Sequence, residues 1–111
     1  MNEIFAQGDV LFERVSDVVP SGIVLAEGPV VLAEGEATGH RHQTFDQVAF
    51  FRDDGLARDI PGGLYIGHVR VSGKDAVVHH DEHSAISLAQ GMWRVRRQRE
   101  LEPKDVTFVR D

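Results

Sequence analysis

The chain has 111 residues, a formal net charge of −6 and no cysteine. This length suits one domain, residues 1–111, that buries its own core. The absence of cysteine excludes disulfides and thiolate metal sites, and it is typical of a cytoplasmic protein. The negative charge argues against general binding to duplex nucleic acid, and no segment approaches the ~20 apolar residues of a membrane span.

Short apolar runs follow one another along the chain at the spacing of an all-β protein. The predicted strands are 10–15, 23–25, 30–33, 48–51, 64–71, 76–80, 84–88, 91–97 and 106–109. Turn-forming residues separate many of them, at 20–22, 27–29, 53–55, 61–63 and 72–74. The best candidate helix, 97–105, contains Pro103, which would interrupt its last turn. The pattern predicts a small single-domain β-sandwich, jelly roll or barrel with no long helix.

Histidine supplies the main chemical signal, because five of the six histidines fall in two short clusters. The first cluster contains His40 and His42, whose side chains leave the same face of an extended chain. The second contains His79, His80 and His83, and a tight turn would bring His80 and His83 within ~7 Å of each other at Cα. Zinc, nickel or iron(II) would bind to the imidazoles of His40, His42, His80 and His83, or to three of them with an open position for water or substrate. Glu82 is the best candidate for a nearby acid or base in catalysis.

Another interpretation of the histidines stays open at this point. Loops collect polar side chains, so both clusters could consist of solvated or hydrogen-bonded structural histidines. His68 stands alone and shares a predicted strand face with Leu64 and Ile66. We expect it to be a partly buried histidine whose hydrogen bonds are satisfied, and not a ligand.

The first cluster resembles the first motif of the cupins, small metal-binding β-barrels. His40 and His42 match the family's two histidines two residues apart, and Asp46 follows where the family usually has glutamate. Pro61, Gly62 and Gly63 are similar to the opening of the second cupin motif, although Ile66 stands where that motif has a histidine. The resemblance implies a barrel and a metal bound by the histidine pair.

Four longer segments are similar to a group of small uncharacterised bacterial and phage proteins. They are 30–35, the GHRH sequence at 39–42, the HDEH sequence at 80–83 and the VRRQRE sequence at 95–100. This resemblance implies no activity.

A basic segment near the end of the chain is the second notable feature. Alternation predicts that Trp93 and Val95 are buried, while Arg94 and Arg96 lie on the opposite face. Such arginines usually pair with carboxylates on neighbouring strands. Stacking of a base on Trp93 beside the arginines would make a nucleic-acid surface, but the alternation argues against it.

Arg97 and Arg99 remain candidates for holding a small anionic ligand.

Two functional hypotheses follow from these patterns. The first is a metal-binding β domain, which could be a small metalloenzyme of unspecified reaction. The second is a non-enzymatic interaction module with structural histidines, which pairs its strand edges with a partner or forms a homodimer.

Overall fold

The fold is all-β, as the strand pattern predicts. A computed structural model describes residues 3–16, 23–34, 40–61, 63–98 and 109–110. Within these residues there are nine strands and one short 3-10 helix, Asp54–Ala57. The strands are β1 (Ile4–Gln7), β2 (Val10–Val15), β3 (Ile23–Glu34), β4 (Arg41–Arg52), β5 (Tyr65–Val71), β6 (Ala76–His79), β7 (Ile86–Leu88), β8 (Gly91–Arg97) and β9 (Val109–Arg110). No helix among the described residues has the length and apolar character needed to span a membrane.

The strands form one sheet that curves into a nearly closed barrel. Their order is β7-β6-β4-β5-β8-β2-β1-β9, and β3 pairs with β4. All neighbours are antiparallel except β1 and β9. The long strand β4 organises the sheet, because its first half pairs with β6 and its second half with β5. The start of β4 therefore lies beside the end of β6, where the second histidine cluster begins.

The core fills the inside of this curved sheet. Phe12, Trp93 and Val95 are all 0% exposed. Trp93 and Val95 lie on one face because residues two apart in a strand point the same way, and Phe12 pairs with Val95 on the neighbouring strand. The predicted burial of Trp93 and Val95 is therefore confirmed. Arg94 and Arg96 point to the other face, where ion pairs and the chain after β4 cover their side chains to 14% and 15% exposure.

Several predicted boundaries differ from the structure. The runs 23–25 and 30–33 are one strand, β3, so the turn predicted at 27–29 is wrong. Gly28 occupies a positive φ of 88° beside a register shift in the pairing with β4. A bulge with such a glycine bends a strand without ending it, which the turn-like sequence Glu-Gly-Pro does not distinguish.

The short strand β1 and the first half of β4 were not among the predicted strands, because polar residues interrupt their apolar pattern. The turn predicted at 20–22 lies outside the described residues. So do most of the predicted strand 106–109 and most of the candidate helix 97–105.

Candidate metal centre

Four histidines from both clusters meet beside the start of β4. His40 and His42 lie at the start of β4, and His80 and His83 lie in the loop between β6 and β7. Pairing of Gln43 with His79 holds that loop over the start of β4. The ring centroids are 4.4 Å apart for His42 and His80, 4.8 Å for His80 and His83, and 5.6 Å for His40 and His80. The predicted proximity of the two clusters is confirmed.

His42 is the innermost residue of the cluster, and Gln7 fixes its ring. The His42 side chain is 0% exposed, and its Nδ1 lies 2.8 Å from Oε1 of Gln7. The Gln7 amide nitrogen donates to the backbone carbonyls of Val78 and Ser84, each at 3.0 Å. Because both carbonyls require a donor, the amide oxygen must face His42. Nδ1 of His42 therefore carries the proton, and Nε2 has a lone pair.

Nε2 of His42 has no hydrogen-bond partner, although it is buried. It is the one buried side-chain nitrogen or oxygen without a partner in the described part of the chain. Burial, followed by the nearby His80, lowers the pKa of His42 from 6.5 to about 4. His42 is consequently neutral at pH 7, which is the form that binds a metal ion.

Asp9 faces this unpartnered nitrogen from the turn between β1 and β2. Its Oδ1 lies 4.0 Å from Nε2 of His42. Its other oxygen, Oδ2, accepts from the Arg97 guanidinium at 2.9 Å, and that guanidinium also donates to the Glu34 carbonyl at 2.7 Å. Arg97, one of the two arginines predicted to hold an anion, therefore lies beside the cluster. Its guanidinium already binds the Asp9 carboxylate. Arg99 lies outside the described residues.

Gly8 makes room for the histidine rings. It has a φ of 61°, which glycine adopts without strain, and it precedes Asp9 in the two-residue turn. A Cβ atom at this position would lie 3.0 Å from Nε2 of His83 and 3.7 Å from Cε1 of His42. The two imidazoles thus approach the same point of the backbone, and any side chain larger than hydrogen would push His83 away.

The outer histidines are engaged in different contacts. Nδ1 of His80 accepts from the backbone N–H groups of Glu82 and His83, at 3.1 and 3.3 Å, so the proton of neutral His80 lies on Nε2. Nδ1 of His40 lies 3.1 Å from the Glu82 carboxylate, which is 64% exposed at the rim. No three donor side chains of the described residues already surround one point. Binding of a metal ion therefore requires the loop between β6 and β7 to adjust.

The comparisons with known proteins identify a family but no activity. The sequence matches DUF8820, a domain of unknown function, over residues 6–98. The chain belongs to this family. The DUF8820 match includes every residue of the cluster, from Gln7 and Asp9 to Arg97. No curated protein and no solved structure matches the chain.

Three site residues of this DUF8820 protein, Gln7, Gly8 and Asp9, were missed by the sequence analysis. Polar residues and a glycine between two apolar runs do indicate a hairpin turn. Nothing in that pattern indicates that the turn lies against histidines more than thirty positions away. Asp46 of the cupin-like motif has a different role, because its carboxylate accepts from the Val77 backbone N–H at 2.8 Å.

His68 forms a separate group beside the end of β4, where it pairs with Phe51. It is 1% exposed, more buried than predicted, and its ring stacks on Phe51 at 5.6 Å. Its Nδ1 lies 2.6 Å from the hydroxyl of Tyr65, which accepts from the Asp53 backbone N–H at 3.1 Å. Burial, followed by the charge of Arg94, lowers the pKa of His68 to about 4.

The arginines of β8 pair with carboxylates. Glu13 on the neighbouring strand accepts from Arg94 at 2.9 Å and from Arg96 at 3.1 Å. Asp59 binds Arg94 at 2.8 Å from the segment that follows the 3-10 helix. Because Trp93 is fully buried on the opposite face, it has no surface on which a base could stack.

Proposed function

We propose that this protein is a metal-binding β domain in which Nε2 of His42 is the first ligand to a zinc, nickel or iron(II) ion. The observation that carries this proposal is the Gln7–His42 pair. Metal-binding histidines characteristically donate the other ring N–H to an acceptor that fixes the tautomer. Gln7 does this for His42, and it leaves a buried lone pair with no partner.

The surrounding side chains supply the remaining donors that a transition metal requires. Imidazole is the strongest ligand type available in a chain without cysteine, and His40, His80 and His83 all lie around His42. For His80 to coordinate a metal, its Nδ1 must give up two backbone hydrogen bonds. The interaction energy of the metal would offset that loss, so binding would also order the loop between β6 and β7.

A catalytic role needs an open coordination position and a group that moves protons. Glu82 lies at the exposed rim beside His40, within reach of solvent and of a bound substrate. Arg97, which pairs with Asp9 at 2.9 Å, would have to share its guanidinium to hold a small anionic ligand as well. The cupin resemblance of the His40–His42 pair supports a metal site at the start of β4.

A second candidate function, self-association, is favoured by one exposed surface. Phe45 is 64% exposed on β4 and Val31 is 37% exposed on the adjacent β3, and both are large apolar side chains. An apolar patch marks an interaction surface when it is contiguous. Val31 pairs with Gln43, two residues before Phe45, so the two side chains lie on the same face of the sheet. Light scattering after size exclusion should then show a dimer that a Phe45→Ser variant converts to monomer. A monomeric parent protein would exclude this function at the tested concentration.

The metal proposal is tested by elemental analysis of protein purified without an affinity tag, and by titration with zinc, nickel and iron(II). The melting temperature should rise with the metal concentration, because the ion binds only the folded chain. The double variant His40→Ala, His42→Ala should lose this response. In the parent protein, the rise in melting temperature should become smaller below about pH 6, where protons compete with the metal for imidazole.

His68→Gln is the matched control for that experiment, because it removes a buried histidine that lies outside the cluster. This variant should keep the full metal response. A melting temperature of the parent protein that no metal changes between pH 6 and 8 would contradict the proposal.

A further inference from the structure

The turn between β1 and β2 holds a carboxylate against an unprotonated nitrogen, with no hydrogen between them. Gln7 places the proton of His42 on Nδ1, so Nε2 can only accept. Oδ1 of Asp9, 4.0 Å away, is also an acceptor. Two buried or half-buried acceptors that face each other repel unless a positive group lies between them.

We infer that Asp9 is a metal ligand, and that the donor set of the site is His42, His83 and Asp9. This inference rests on the proposed metal-binding function and adds a carboxylate that no sequence motif marks. A bond to zinc from imidazole nitrogen or carboxylate oxygen is about 2.0–2.2 Å long. The 4.0 Å gap therefore admits an ion between the two atoms. A shortening of roughly half an ångström brings the pair to the separation of a tetrahedral site.

Arg97 prepares Asp9 for one-oxygen coordination. It holds Oδ2 at 2.9 Å and is itself held by the Glu34 carbonyl at 2.7 Å. The carboxylate is therefore oriented with Oδ1 toward His42. Carboxylates that bind a metal through one oxygen are commonly hydrogen-bonded at the other oxygen by a second group. Arg97 is such a group for Asp9.

His83 is the third donor because the same turn makes room for it. Its Nε2 lies 3.0 Å from the point where a Gly8 Cβ would be, one residue from Asp9. Cε1 of His42 lies 3.7 Å from the same point, so the two rings share the space beside this turn. Two histidines and one carboxylate leave coordination positions open, as in non-haem iron(II) enzymes and catalytic zinc sites. The site is therefore of the type that binds an exogenous ligand on the metal.

Cobalt(II) absorbance and competition with zinc test this donor set on the full chain. Asp9→Asn should weaken cobalt binding by at least ~100-fold, since loss of an outer partner alone costs 10- to 100-fold. Asp59→Asn, which breaks a carboxylate–arginine pair outside the cluster, should change affinity less than ~3-fold and leave the cobalt spectrum unchanged. Asp9→Glu keeps the charge and should retain part of the affinity.

Arg97→Gln separates a ligand from a merely structural ion pair. It breaks the same salt bridge as Asp9→Asn but leaves the Asp9 charge in place, so cobalt affinity should stay within ~10-fold of the parent, the lower limit expected for an outer partner. Equal losses in Asp9→Asn and Arg97→Gln, or an Asp9→Asn variant that binds like the parent, would overturn the inference. A parent protein that binds no metal would instead refute the proposed function itself, and the inference with it. Melting temperatures without metal establish that each variant is folded.

Discussion

His42 and His68 are alike by most local measures and differ in one respect. Both are almost completely buried, both have a pKa lowered to about 4 mainly by burial, and both use Nδ1 in a short hydrogen bond. His68 stacks on Phe51, and neither of its nitrogens is both buried and without a partner. His42 keeps Nε2 buried and unpartnered, and it is surrounded by other imidazoles and by Asp9.

The difference shows which observations indicate a site. Burial and a perturbed pKa occur at both histidines, so neither property separates a ligand from a core residue. What separates them is a preset lone pair with further donors around it. Hydrogen bonds between His68 and Tyr65 and between Asp53 and Tyr65 attach the segment after β4 to the sheet. In the His42 network, by contrast, Nε2 of His42 has no partner and could still accept one.

Lowering the pH should cause the largest loss of stability, and both histidines should contribute to it. Between pH 6.5 and pH 4 each is neutral in the folded protein and would be protonated when unfolded. The unfolded chain therefore binds more protons in this range, and stability falls as the pH is lowered. We expect a loss of about 3 kcal/mol for each histidine in metal-free protein, measured by urea unfolding.

The His68→Gln variant sharpens this prediction, because it should remove about half of the pH dependence between pH 6.5 and 4. Added zinc should steepen the dependence in the parent and in His68→Gln alike, since the proposed site is intact in both. A pH profile that His68→Gln leaves unchanged would contradict the pKa assigned to His68.

Removing the hydrogen-bond partner of each histidine should have the next largest effect on stability. Gln7→Leu leaves Nδ1 of His42 and the Val78 carbonyl buried without partners, and we expect a loss of about 3 kcal/mol. Tyr65→Phe removes one hydroxyl and should cost about 1–2 kcal/mol, measured in the same way. Only Gln7→Leu should also weaken zinc binding, by about 10- to 100-fold. Equal zinc affinities in the two variants would argue against the role of Gln7.

Glycine substitution should have the smallest effect on stability. Gly8→Ala and Gly73→Ala both place a side chain at a positive φ, 61° and 83°, and each should cost about 1 kcal/mol. Their surroundings differ, since a Cβ at Gly8 meets His83 whereas one at Gly73 has no atom within 4 Å. Zinc titration should therefore show a weaker site in Gly8→Ala alone. A parent-like affinity in Gly8→Ala would remove His83 from the donor set.

Much of the fold could be predicted from local patterns. The bounds of β2 and β8 agree with prediction, because continuous alternation and flanking polar residues mark both. Strand β1 and the first half of β4 were missed, because polar residues such as Gln7, His42 and Thr44 occupy positions that face inward. Inward-facing polar residues remove the apolar–polar alternation on which the strand prediction depends.

By itself the sequence determined the all-β class, the buried face of β8 and the concentration of histidine in two segments. These are properties of neighbouring residues, and period-two alternation and turn chemistry express them locally. Only the tertiary structure decided that the two clusters meet, that Asp9 faces His42, and that His68 lies elsewhere. The Gln7 side chain that fixes His42 bonds a carbonyl 71 residues along the chain. Contacts over such distances follow from strand order and register, which no local pattern contains.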